Sequence, residues 1–123
     1  MDAIIGTGMI SKREYGIIAE RNISVPMSDG ISIDVDIFRP DGDEKFPVVL
    51  GMSAFNKDIQ SKRVWPAATR TRRIQGVPDA CLEAGPVDFL VRRGYVHIIG
   101  SIRGTGRSGG KYNYLSPGFS AKN

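Results

Sequence analysis

Apolar and polar residues alternate strictly from Ile31 to Ile37, where Ile31, Ile33, Val35 and Ile37 are separated by Ser32, Asp34 and Asp36. Successive side chains of a strand point to opposite faces, so the pattern predicts a half-buried strand with its polar positions in solvent. A looser alternation precedes it, with Ile23, Val25 and Met27 closing the stretch that begins at Ile17. Between the two lies Ser28-Asp29-Gly30, turn chemistry in which the glycine permits a positive φ, so an antiparallel hairpin is expected. Pro40-Asp41-Gly42 ends the second strand.

Phe46 to Met52 (FPVVLGM) and Tyr95 to Ser101 (YVHIIGS) are short, almost wholly apolar and rich in β-branched residues. That composition predicts strands covered on both faces. Between them, Gly85-Pro86 precedes Val87, Phe89, Leu90 and Val91, and Arg92-Arg93-Gly94 follows. Proline at the first position, cations in the last turn and a glycine stop predict a short helix. Strand, helix and parallel strand make a βαβ unit. The segment from Ala54 to Ala84 is long for such a crossover, which predicts helix of its own around Cys81 or a functional role. Residues 1–14 show no period and read as a loose leader, leaving an ordered domain over residues 15–123.

A chain of 123 residues with 41% hydrophobic content is one globular domain's worth. It has no apolar run of 18 residues and no basic stretch followed by an apolar one at its start, so a soluble, cytoplasmic protein with no membrane contact is expected. Cys81 is the single cysteine, which excludes an internal disulfide and reads as a buried bystander thiol. Net charge is +4, and Lys62, Arg63, Arg70, Arg72 and Arg73 cluster near Trp65 without an acidic residue among them. Cations hold phosphates and an aromatic can stack on a base, so one reading is a small non-enzymatic module binding nucleic acid or anions through Lys62 to Arg73. A solvated surface connection is the plainer reading, because only one aromatic is interleaved. No metal or cofactor is expected.

Ile102 to Lys111 (IRGTGRSGGK) carries three overlapping motifs. A phosphate loop fails on spacing, since Thr105 stands where glycine is required and Tyr112 where a hydroxyl of serine or threonine belongs. A dinucleotide fingerprint (Gly104, Gly106, Gly109) lacks a following helix and an acidic residue about 20 positions on; no Asp or Glu occurs after Asp88. The match Gly106-Arg107-Ser108-Gly109-Gly110 to G-x-S-x-G lacks the helix of a nucleophile elbow, and the only histidine, His97, precedes it inside an apolar strand. The loop therefore reads as a chain reversal at the C-terminal end of a strand, with Ser108 structural.

In order, VPMSDGISIDVDIFRP, FPVVLGMSAFNKD, FLVRRGY and IRGTGRSGG resemble the opening of the CocE/NonD serine hydrolases, the cocaine-esterase-like and X-Pro dipeptidyl-peptidase-like enzymes. The resemblance spans about residues 15–118 and implies the N-terminal portion of an α/β-hydrolase sheet, an antiparallel hairpin followed by a βαβ unit, cut before the nucleophile elbow. It implies cleavage of an ester or amide bond in a small-molecule ester or peptide substrate, with the catalytic triad beyond Asn123, no nucleic-acid partner, and a chain that is silent alone. The family's Pro-Tyr pair, whose hydroxyl helps hold the oxyanion, is here Ala54-Phe55; losing one such donor costs about 2.7–4 kcal/mol of transition-state stabilisation. The family's Arg-Asp-Gly turn is Ser28-Asp29-Gly30, and Ser101 replaces an aspartate. In the R-G-x-G-x-S-x-G loop, Arg103, Gly104, Gly106 and Ser108 match, with Arg103 expected to clamp loop carbonyls or a carboxylate. The implied strand order is one, two, four, three. It leaves Phe46 to Met52 as an apolar edge open to self-association and leaves Val48, Leu50, Ile98 and Ile99 partly wet.

Overall fold

The computed structural model describes residues 12–60 and 83–113. Strands β1 (Ile17–Pro26) and β2 (Ser32–Pro40) form the expected antiparallel hairpin. Its turn closes where the Met27 N–H donates to the Ile31 carbonyl at 2.8 Å and the Gly30 N–H to the Met27 carbonyl at 3.0 Å, with Gly30 at φ 87°. β2 runs three residues past the alternation because Phe38 is itself paired on both sides, with Ala19 and with His97.

β3 (Val48–Ser53), α1 (Lys57–Gln60), α2 (Val87–Val91) and β4 (Val96–Ser101) follow. The sheet has the order β1-β2-β4-β3, with β2 and β4 antiparallel and β3 and β4 parallel in unbroken register from Val48↔Val96 to Ser53↔Ser101. α2 lies in sequence between two parallel neighbours, so the βαβ unit stands. Pro86 is the N-cap of α2, in an extended conformation, one position earlier than the sequence suggests, and Arg92 is its C-cap.

One face of the sheet packs on α2. Phe38, Val87, Val91 and Ile99 form its core, with Ile17 and Ala84 against them. Burying each such side chain contributes about 1.5–3 kcal/mol. Gly51 lets the chain entering α2 come close: a Cβ there would sit 2.7 Å from the Ala84 Cβ. The opposite face corrects the expectation of two covered faces for β3. Val48 and Leu50 are 58% and 59% exposed and Met52 is exposed with them, since no described element lies over that side. Ile99, expected partly wet, is buried instead, because it points at α2. Asp34 and Asp36, expected in solvent, are buried too.

The basic segment Lys62 to Arg73, Trp65, Cys81 and most of the leader lie outside the described residues. Among the described residues no helix is long and apolar enough to cross a membrane.

Candidate functional site

The C-terminal ends of β3 and β4 and the start of β2 meet at one end of the sheet, on the face that carries α2. Here β1 departs from its register: between Glu20 and Ile23, Arg21 and Asn22 are bulged out, with Asn22 at φ 57°. Asparagine tolerates this left-handed conformation better than other side-chain-bearing residues. The bulge turns the Asn22 N–H onto Asp36 Oδ1 at 2.9 Å and brings the Arg21 guanidinium within 3.0 Å of Asp36 Oδ2. A bulge re-aims side chains, and this one supplies two ligands to a charged centre.

That centre is Lys57, at the start of α1 and 1% exposed. Its ammonium donates to Asn22 Oδ1 at 2.8 Å and Asp58 Oδ1 at 3.0 Å, and lies 2.9 Å from Asp36 Oδ1. Asp34 Oδ2, at 3.1 Å, is in ion-pair contact but off the hydrogen-bond direction. Burial pushes the ammonium towards neutrality. Hydrogen bonds to Asp36 and Asp58, with the Asp34 carboxylate beside them, outweigh it and hold the pKa above the ordinary lysine value, so Lys57 is a fixed cation and no proton shuttle. This also explains why Asp34 and Asp36 are buried: alternation sets both carboxylates on one face of β2, and only a cation between them makes that tolerable.

The loop after β3 hangs from the same centre. The Lys57 N–H donates to Ser101 Oγ at 3.2 Å, the Asp58 N–H to Asn56 Oδ1 at 2.9 Å, and the Phe55 N–H to Ser53 Oγ at 2.9 Å. Ser53 in turn donates its hydroxyl to the Glu83 carboxylate. Ala54 and Phe55 are thus exposed at the end of the sheet on a segment tied at both ends, and the Phe55 amide is already committed to Ser53.

The glycine loop reverses the chain beyond β4. Gly104 takes φ 70°, where a Cβ would run into the backbone of Lys111 and Tyr112, and its N–H donates to the Gly109 carbonyl at 2.9 Å. Gly106 also has a positive φ. Ser108 is buried: its hydroxyl donates to the Ser101 carbonyl at 2.6 Å and accepts from the Asp34 N–H at 2.9 Å. It stitches the loop to β2 and β4, and among the described residues no base is hydrogen-bonded to it. Arg103 pairs with the Asp29 carboxylate across the hairpin turn, and chiefly this hydrogen bond holds Asp29 below the usual carboxylate range. His97 is fully buried in β4, and neither ring nitrogen has a hydrogen-bond partner of normal geometry among the described residues. Burial lowers its pKa, with the Ala84 backbone opposing.

The sequence singled out Ala54, Phe55, Arg103, Gly104, Gly106 and Ser108 and did not reveal the charged centre to which the loop after β3 is tied. Arg21, Asn22, Asp34, Asp36, Lys57 and Asp58 assemble from three separate stretches. The one signal in the sequence was Asp34 and Asp36 at period two, a like-charged pair on one strand face that demands a cation. Among the described residues no group of acidic, histidine or cysteine side chains is arranged to hold a metal.

A hairpin leading into a βαβ unit, with a glycine-rich reversal above the strand ends, is the opening of an α/β-hydrolase sheet. Residues 29–121 match the X-Pro dipeptidyl-peptidase (S15 family) profile, so the chain belongs to that family. Its fold is similar to a CocE/NonD family hydrolase from Staphylococcus aureus, seen in two crystal structures at 30% and 32% identity, TM-scores 0.57 and 0.59, each covering 75% of this chain. It is similar in fold to an alpha-amino acid ester hydrolase at 24% identity, TM-score 0.56, over 88% of this chain. The chain spans 16% of the length of each of these structures. No curated protein matches it.

Proposed function

We propose that this chain is the N-terminal part of a cytoplasmic serine hydrolase that cleaves ester or amide bonds through an acyl-serine intermediate. In this reading the chain supplies the first four strands and the loop after β3, while nucleophile, acid and base come from sequence beyond residue 123. The family match over residues 29–121 carries the proposal. Ser108 supports the silence of the chain alone: its hydroxyl is spent on Ser101 and Asp34, and an acylated Oγ would have to break both bonds in a buried site. Phe55 offers no hydroxyl and its amide is taken, so a complete site must find its second oxyanion donor elsewhere.

The test is incubation with an activated ester and a serine-directed fluorophosphonate probe. The 123-residue chain is expected to show neither turnover nor labelling, and a form extended past residue 123 should label on a serine outside it. Labelling of the short chain that disappears in Ser108→Ala would overturn the assignment. In the extended form, Phe55→Tyr should raise the acyl-transfer rate; an unchanged rate in a folded variant would remove position 55 from the oxyanion site.

A further inference from the structure

We propose that Lys57 is the positioning residue of the loop after β3, the ammonium in its carboxylate cage fixing where Ala54 and Phe55 stand at the end of the sheet. The proposal rests on the hydrolase reading, which gives that loop its task. Four features carry it.

The cage walls come from different elements: Asn22 from the β1 bulge, Asp34 and Asp36 from β2, Asp58 from α1. A cation bound by all of them locks α1 against the hairpin, and α1 begins two residues after Phe55. Lys57 is also the residue whose own N–H reaches Ser101 at the end of β4, so a single residue ties the loop to the sheet through both backbone and side chain. Its burial excludes water from the ion pairs, and a cage held in low dielectric is stiffer than a surface pair. Finally, Lys57 is protonated and enclosed, so it acts on the loop and touches no substrate.

Simple stabilisation and positioning differ in what happens inside the folded state. If Lys57 only adds stability, a variant loses folded molecules, yet the loop in those that remain stays as rigid as the sheet. If Lys57 positions the loop, order is lost locally in molecules that are still folded. Backbone 15N relaxation on the 123-residue chain separates the two, because it reports fast motion within the native population. In the wild-type chain, Phe55, Asn56 and Lys57 are expected at order parameters of about 0.85, the value of rigid backbone, together with Ile37 and Ile98. In Lys57→Met the loop amides should fall below about 0.6 while Ile37 and Ile98 stay near 0.85. Loop amides that remain rigid in a folded Lys57→Met would overturn the proposal, because Ser53, Asn56 and Ser101 would then hold the loop unaided.

Should Lys57→Met give no dispersed spectrum, Asp58→Asn serves, since Asp58 is the most solvent-exposed carboxylate of the cage. A fall confined to the same loop amides supports the proposal, and an unchanged loop overturns it. Self-association changes overall tumbling for every amide alike and leaves the comparison within the chain intact. The measurement involves no catalysis, so a disordered loop in a chain whose extended form proves not to be a hydrolase would sink the functional reading alone.

Discussion

The two outer strands of the sheet are built on opposite principles. β1 is ten residues long, carries Glu20 and Arg21, bulges at Arg21 and Asn22 and ends in Pro26. Charges, bulges and proline are the devices by which a sheet edge refuses another strand. β3 has no charge, no bulge and an unbroken parallel register with β4. Its free edge has no partner among the described residues, and Val48, Leu50 and Met52 stand exposed on the adjoining face. Among the described residues β1 carries the marks of a finished edge and β3 those of an inner strand.

If the β1 edge is finished because its bulge is nailed to a buried charge cluster, Asp36→Ala should do the greatest damage. It removes the acceptor of the Asn22 N–H and leaves Lys57 and Arg21 short of a carboxylate in a buried place. Breaking one partner of a buried pair costs about 3–5 kcal/mol, read as a lower urea midpoint. A loss under about 1 kcal/mol would mean that the cage is not what holds β1.

A charge placed on the open side should act on association rather than stability. Leu50→Lys is expected to weaken self-association at least tenfold by sedimentation, about 1.4 kcal/mol, because the lysine makes β3 resemble β1. Equal association of variant and wild type would show that copies meet elsewhere.

The strand between the two regions carries a pH dependence. His97 is neutral when folded because burial lowers its pKa, whereas the unfolded chain takes up a proton near 6.5. Below that value the unfolded state binds more protons, so stability present at pH 7 is lost on acidification. The slope is at most about 1.4 kcal/mol per pH unit. Thermal melts at pH 7 and pH 5.5 should show this loss in the wild type and less of it in His97→Phe, and identical slopes would show that His97 takes up protons equally in both states.

The smallest effect is expected on the finished edge. Glu20→Gln breaks the pair with Arg39, both side chains being about half in solvent, and should change stability by less than about 0.5 kcal/mol. The exposed Glu20–Arg39 pair acts as a guard against other strands, and the glue lies in the bulge, where Arg21 meets Asp36.

Much of this was legible in the sequence because it is local. Period-two alternation located β2, Ser28-Asp29-Gly30 located the turn, and Gly85-Pro86 with Arg92-Arg93-Gly94 bracketed α2. Ser108 could be set aside from the lack of a helix and base around it. Burial was harder. Phe46 to Met52 reads as doubly covered because it is apolar at almost every position, whereas among the described residues nothing lies over Leu50. Asp34 and Asp36 read as solvent-facing because alternation reports which residues share a face and says nothing of what lies over it. Lys57, more than twenty residues away, decides that, and no local pattern connects them.

The claim that the sheet ends at β1 and stays open at β3 is tested most directly by the mass of the wild-type chain in sedimentation velocity across a hundredfold dilution. The mass is expected to climb above the 13.4 kDa monomer as concentration rises, with a melt that shifts alongside it. A monomer at every concentration, melting cooperatively at one temperature, would contradict it and show that β3 is already covered.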